Sequence, residues 1–285
     1  MFEKVLVSMD LSPATEALVS ALPDMKELGT RELALVHVAK PLQDPVSESL
    51  RAVEELRGRL NGLADRLRGE GFEVTVDVPT GNPPVEVIKT AQTRNPDLVL
   101  VGSRSHARVR EAFVGSVAWE VVRRARRPVL LQRIESNRPD PEAALETMGS
   151  GLPRHVVHPT DFSDMAFRSV PWLKQLAEQG VPRFTLIHVL TADTGDGRQE
   201  AERQLEEIAD EVRKAGANEV RTLVRLGTPH EEVRSAGGKE HGALIVMGTH
   251  GRGFLPEMVL GSVSRQVVRH ASARVLLIPA EDPEA

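Results

Sequence analysis

The residues with the most chemical content lie in the stretch IVMGTHGRGFLPEMVLGSVSRQVV, from Ile245 to Val268. Gly248 follows a buried-strand pattern directly, Gly251 comes three residues later, and Gly261-Ser262 opens an amphipathic helical pattern. Glycine at a strand exit lets backbone N–H groups come close to a ligand. A helix beginning at Gly261-Ser262 offers unpaired N–H groups and a positive dipole end, with the hydroxyls of Ser262 and Ser264 beside them, which together suit a phosphate. The same residues also suit a loop that merely turns, with Ser262 as an N-cap. Upstream, Asp161 in PTDFS supplies a carboxylate able to accept from an exocyclic amine or a ribose hydroxyl, or to cap the helix that follows.

Other chemistries are poorly supplied. No G-x-x-x-x-G-K-[ST], G-x-S-x-G or H-E-x-x-H pattern occurs. His155 and His158 are three apart on a strand pattern, on opposite faces, so they do not share a metal. His37 and His188 end apolar strands and read as packed, hydrogen-bonded side chains. His250, inside the glycine loop, is the one histidine considered for chemistry, and no residue is assigned a catalytic role. Trp119 and Trp172 sit on helical patterns among valines and leucines and read as core or interface packing.

Zero Cys excludes disulfides, thiolate metal sites and Cys nucleophiles. A net charge of −5 argues against nucleic-acid and anionic-membrane partners, and 3% aromatics with no Tyr argue against stacking platforms. MFEKVLVSMD has no apolar run of signal-peptide length and no segment approaches the ~20 apolar residues of a membrane span. The expected location is the cytoplasm.

The elements that must position these residues come in two copies. Asp161 follows Asp10 by 151 residues, as His188 follows His37; further on the interval is 146, pairing Gly81 with Gly227, Gly102 with Gly248, Gly115 with Gly261 and Val129 with Val275. So constant a register implies a duplicated domain. In the first copy Val5–Ser8, Leu33–Val38, Val74–Val78, Leu98–Val101 and Val129–Leu131 read as strands buried on both faces. Helical periodicity fills 46–68, with Asp44-Pro45 as a start and Gly69 as a stop, and Arg198–Ala215 in the second copy. Strands alternating with helices predict two tandem α/β domains, Rossmann-like and doubly wound, related by a pseudo-twofold axis. Ligands of such sheets sit at the carboxyl ends of strands where the order reverses. The predicted domains are 1–133 and 152–285. The linker is 134–151, with one short helix started by Asp140-Pro141-Glu142. The final strands, 128–132 and 274–279, are apolar runs at sheet edges and are expected to face each other within the chain.

The composite motif resembles that of the universal stress proteins, whose nucleotide-binding members carry G, two residues, G, nine residues, then G followed by S or T. Gly248, Gly251, the nine residues Arg252 to Leu260, and Gly261-Ser262 match at every position. PTD at Pro159–Asp161, HV at His188-Val189 and GTP at Gly227–Pro229 extend the likeness, which covers the chain twice outside the linker. The resemblance identifies a tandem two-domain member and implies a five-stranded parallel sheet in each domain. It also implies ATP or AMP as the ligand, with Mg2+ as an accompanying ion, and a homodimer. In the second half it assigns nucleotide contacts to Pro159, Thr160, Asp161, Val189, Met247, Gly248, Gly251, Arg252, Gly261, Ser262, Val263 and Ser264. In the first half it assigns a weaker set: Asp10, Val38, Gly102, Gly115, Ser116 and Val117. There Ser105 replaces the second glycine, Ala118 replaces Ser264 and Met9 replaces Thr160. If the loop needs positive φ at that glycine, Ser costs about 1 kcal/mol or more. Arg104, His106, Arg108 and Arg110 either compensate or form a solvated face. The functional reading is an adenine-nucleotide-binding regulatory protein of a stress response, with its protein partner unspecified. A dimerisation module without a physiological nucleotide, or a slow ATPase, are the alternatives.

Overall fold

The computed structural model describes residues 1–12, 14–41, 46–105, 114–135, 151–192, 194–237, 243–251 and 260–280. The first half runs β1 (Lys4–Ser8), α1 (Ala14–Ala21) with a 3-10 extension over Leu22–Leu28, β2 (Glu32–Val36), α2 (Val46–Gly69), β3 (Glu73–Asp77), α3 (Pro83–Arg94), β4 (Leu98–Ser105), α4 (Ser116–Arg124) and β5 (Val129–Glu135). The second runs β6 (His155–Pro159), α5 (Asp164–Phe167), α6 (Val170–Glu178), β7 (Arg183–Leu190), α7 (Gly195–Lys214), β8 (Glu219–Leu226), α8 (Pro229–Ala236), β9 (Ala243–Gly248), α9 (Ser262–His270) and β10 (Arg274–Ile278).

All of these strands join one ten-stranded sheet in the order β3-β2-β1-β4-β5-β10-β9-β6-β7-β8. Every ladder is parallel except β5 with β10, which pairs antiparallel through Val275↔Leu131, Leu276↔Leu130 and Leu277↔Val129. The two apolar final strands therefore face each other as expected. Each would otherwise leave a row of unpaired backbone groups at an edge. In each half the chain winds outward from its first strand (β1 or β6) and then returns to that strand's other side, so the order reverses between β1 and β4 and again between β6 and β9. Those two reversal points set where a ligand cleft opens.

Helices cover both faces. Leu60, Ala64 and Leu67 of α2, and Leu205, Ile208 and Val212 of α7, belong to one continuous apolar cluster. Val121 and Val122 of α4, with Val267 and Val268 of α9, belong to the cluster on the opposite face. Both clusters draw residues from both halves, so the seam is hydrophobic core rather than a wet contact. Phe2 stacks on Trp172 at 5.2 Å, and Arg269 lies over the Trp119 ring at 5.1 Å, each contact joining the two halves. Both tryptophans thus pack across the seam. Buried Arg133 also bridges it, donating to the Val268 carbonyl across the seam and to Ser103 Oγ at 2.8 Å in its own half, while buried Arg274 Nη1 donates to the Gly151 carbonyl at 3.1 Å, at the entry to the second half. Burial lowers the pKa of each guanidinium to about 10, opposed at Arg274 by the charge of Asp24.

Three sequence expectations need correcting. The strand expected to run to Val38 ends at Val36. β4 and β5 continue to Ser105 and Glu135, so Ile134 and Glu135 belong to the sheet and not to the linker. The helix expected from Arg198 starts at Gly195. The Asp44-Pro45 start and the Asp140-Pro141-Glu142 helix lie outside the described residues.

Candidate functional site

The second-half cleft is built at the carboxyl ends of β6, β7 and β9. The ladder of β6 and β7 continues one residue past Pro159, with Thr160 N–H donating to Ile187 at 3.0 Å. The Thr160 carbonyl in turn accepts from His188 Nδ1 at 2.8 Å, which places the ring proton on Nδ1. His37 makes the same contact to Met9 at 2.9 Å in the first half. The expectation of packed, hydrogen-bonded histidines thus describes both, and His188 also lines the cleft and stacks on Phe162 at 4.5 Å.

Asp161 then starts a tight turn. Its Oδ1 accepts from Ser163 N–H at 3.1 Å and from Ser163 Oγ–H at 2.6 Å, while Phe162 adopts a left-handed φ of 62°. Such a conformation in a non-glycine residue costs of order 1–2 kcal/mol and is held by the hydrogen bonds around it. The first half repeats the device, with Leu11 at φ 54° and Asp10 Oδ1 accepting from Ser12 N–H at 3.0 Å. The capping role considered for Asp161 belongs to Ser163, whose hydroxyl accepts from Ala166 N–H at 3.2 Å at the start of α5.

Above the turn lies the glycine loop. Gly261 N–H donates to the Thr249 carbonyl at 2.8 Å, Thr249 N–H to Ile278 at 2.9 Å, and the buried Ser264 hydroxyl to the Gly248 carbonyl at 2.9 Å. The Ser264 hydroxyl, expected beside a phosphate, is engaged in holding the loop against α9. Gly251 is not in a positive-φ conformation, which overturns that explanation for the glycine. Space explains it instead: a Cβ there would overlap Asp161 Oδ2 and stand 3.0 Å from Asp161 Cγ. At Gly248 a Cβ would stand 3.1 Å from the carbonyls of Met165 and His250, and at Gly261 it would stand 3.3 Å from that of Thr249. The N-cap Gly261 brings no side-chain hydrogen bond and the first turn of α9 holds no acid, so among the described residues no cap competes for its leading amides at the cleft.

The expected residues Pro159, Thr160, Asp161, Val189, Met247, Gly248, Gly251, Gly261, Ser262, Val263 and Ser264 all line this one cavity, whose volume is about 210 Å³. Arg252 lies outside the described residues. Val189 lies inside β7, which runs to Leu190. The sequence reading missed Ala166, Ile187, Pro229 and Val233, which complete the wall. The signal for Pro229 was present in the GTP turn: Gly227 takes φ 149° and donates to Leu190 at 3.1 Å, aiming α8 at the cleft. Among the described residues Asp161 is the sole carboxylate of the lining and no group of three or more His, Asp or Glu could hold a metal, so these side chains do not fit a protein-held Mg2+.

Behind the cleft, His158 is completely buried, and Nδ1 donates to the Val246 carbonyl at 2.8 Å while Nε2 has no partner. Desolvation lowers its pKa to about 4, opposed by that carbonyl and by Asp161. Its counterpart in the first half is Val7.

In the first half Asp10, Val38, Gly102, Gly115, Ser116 and Val117 line an equivalent cavity of about 610 Å³. Here the chain does not turn after the glycine. β4 runs on, pairing Gly102↔Gln132 through Ser105↔Glu135, and Ile134 Cδ1 sits 2.9 Å from where a Cβ of Gly102 would stand. The position of Ser105 is extended strand, so the penalty reasoned from positive φ does not apply; what differs is the path of the backbone. His106, Arg108 and Arg110 lie outside the described residues.

Two halves sharing one doubly wound sheet, each with a cleft at its strand reversal, define a tandem protein of the Rossmann-like α/β class. The model of the universal stress protein family matches residues 1–133 and 153–279, and the chain belongs to that family. A universal stress protein of Thermus aquaticus is 32% identical over 141 residues, covering 47% of this chain and 100% of the relative. One of Methanocaldococcus jannaschii is 24% identical over 153 residues, covering 46% of this chain and 94% of the relative. Among solved structures, a universal stress protein from Archaeoglobus fulgidus is similar at 25% identity with a TM-score of 0.77, over 98% of this chain and 99% of its own. No helix among the described residues is long and apolar enough to cross a membrane.

Proposed function

We propose that the second-half cleft binds an adenine nucleotide, ATP or AMP, and that occupancy biases a regulatory surface in a stress response. The observation that carries this reading is the convergence, in one cavity, of the Asp161 carboxylate, an apolar wall from β7, β9 and α8, and the uncapped start of α9. The wall suits a flat heterocycle. The Asp161 carboxylate at the cleft wall is an acceptor suited to an amine or hydroxyl, and the amides of Ser262 and Val263 suit phosphate. The contacts of Pro159, Thr160, Val189, Met247, Gly248, Gly251, Arg252, Gly261 and Ser264 belong to the same reading.

Nucleotide binding by the first half is weaker on this reading, because β4 continues where the second half turns back over its cleft. The assembly is read as a homodimer in the cytoplasm. Support for further association is that β3 and β8 remain edge strands at the ends of the described sheet.

The test is calorimetric titration of the full chain with ATP and AMP, together with chromatography of nucleotide released by heat denaturation. One adenine nucleotide per chain, lost in Asp161→Ala, supports the proposal. A chain that neither carries adenine nucleotide nor binds it at millimolar concentration favours the interaction-module alternative.

A further inference from the structure

The first-half cavity differs from its counterpart in ways that nucleotide binding leaves unused. Its volume is about 610 Å³ against about 210 Å³. Its wall is also more apolar. Met9 stands where the second half has Thr160, and Ala118 where it has Ser264. Beside them Ile134 closes the end of the cavity next to Gly102 with hydrocarbon. The start of α4 at Ser116 and Val117 lines this cavity as the start of α9 lines its counterpart, so an anionic group is served there and hydrocarbon at the Ile134 end.

Among the described lining residues the cation is Lys40. Lys40 is exposed, replaces Thr191 of the second half, and makes no ion pair among the described residues. Asp10, the lining carboxylate, has Oδ1 engaged by Ser12 N–H at 3.0 Å and Thr15 Oγ1 at 3.3 Å. His37 has its Nδ1 proton on the Met9 carbonyl. A largely apolar cavity with an exposed lysine in its lining complements a molecule with an apolar body and an anionic end, the body removed from water and the anion left at the surface.

We propose that the first-half cavity is a separate site for an apolar monocarboxylate, a hydrocarbon or aromatic acid whose carboxylate meets Lys40. The proposal does not rest on nucleotide binding by the second half. It gives the two repeats different ligand chemistries on one sheet.

The probes are 8-anilinonaphthalene-1-sulfonate, an aromatic monoanion that fluoresces in apolar surroundings, and decanoate with its uncharged analogue decanol. The full chain should bind one anilinonaphthalene sulfonate, displaced by decanoate at concentrations where ATP does not displace it. Ala118→Phe, which fills the cavity, should weaken the dye and decanoate by more than tenfold. Lys40→Gln, at an exposed position that leaves the fold untouched, should weaken decanoate about fivefold and leave decanol unchanged. Should Ala118→Phe fail to fold, the decanoate and decanol comparison in Lys40→Gln decides alone. The proposal is overturned if neither probe binds below a millimolar, if ATP displaces the dye at lower concentration than decanoate does, if folded Ala118→Phe binds as tightly as wild type, or if Lys40→Gln treats decanoate and decanol as wild type does.

Discussion

Ser262→Asp separates phosphate binding from fold. Ser262 is exposed at the first position of α9, where the N-cap Gly261 supplies no side-chain hydrogen bond and no acid is present in the first turn. A carboxylate there complements the helix dipole and should raise the stability of the unliganded protein by about 0.3–1 kcal/mol. Toward a phosphate on the same amides it acts in the opposite sense. Two unit charges about 4 Å apart repel by about 1 kcal/mol in water and about 4 kcal/mol at the effective dielectric of a protein surface. For an exposed position we take about 1–2.5 kcal/mol, which is a loss of about 5- to 70-fold in affinity. Calorimetry with ATP, AMP and adenosine, at low and high salt, reads the effect. ATP and AMP should weaken, more so at low salt, whereas adenosine should not change and the thermal midpoint without ligand should not fall. An unchanged ATP affinity, or adenosine weakened as much as ATP, refutes phosphate binding at α9.

Copying the first half's serine into the second, as Gly251→Ser, places a Cβ against the Asp161 carboxylate and should lower ATP affinity at least tenfold in a calorimetric titration, with circular dichroism unchanged. Acid should destabilise the protein through His158. Its folded pKa of about 4 lies below its ordinary 6.5, so its contribution is present above pH 6.5 and lost as pH falls toward 4. The loss is about 3 kcal/mol, and His158→Val, the residue type of Val7, should flatten that part of the denaturation-versus-pH curve. At the seam, Phe2→Ala removes a side chain only 2% exposed and stacked on Trp172, and should cost about 3–5 kcal/mol in urea unfolding. A single transition lost at lower urea is expected, because the shared clusters couple the halves; two separate transitions in the wild type would contradict a common core.

What the sequence by itself determined was periodic and local. Five apolar runs per half are strands because both faces of a covered parallel sheet are buried, and the run of apolar residues says so without tertiary information. The repeat at 151 and then 146 residues announced two equivalent folds, and the spacing of Gly248, Gly251 and Gly261 marked the loop over the cleft. Even the pairing of the two final strands could be anticipated, since an apolar edge must be covered. The tertiary structure alone decided which force acts on each glycine. Gly251 is small because Asp161, 90 residues earlier, comes against it, and no local pattern reports that distance. It also decided that β4 runs straight on to Ser105. Strand extension there depends on a partner, the Gln132–Glu135 end of β5, whose pairing is set by the sheet as a whole and not by the residues of the loop. For the same reason His158 looked like one more strand residue in the sequence, and its neutral, fully buried state follows only from what packs over it.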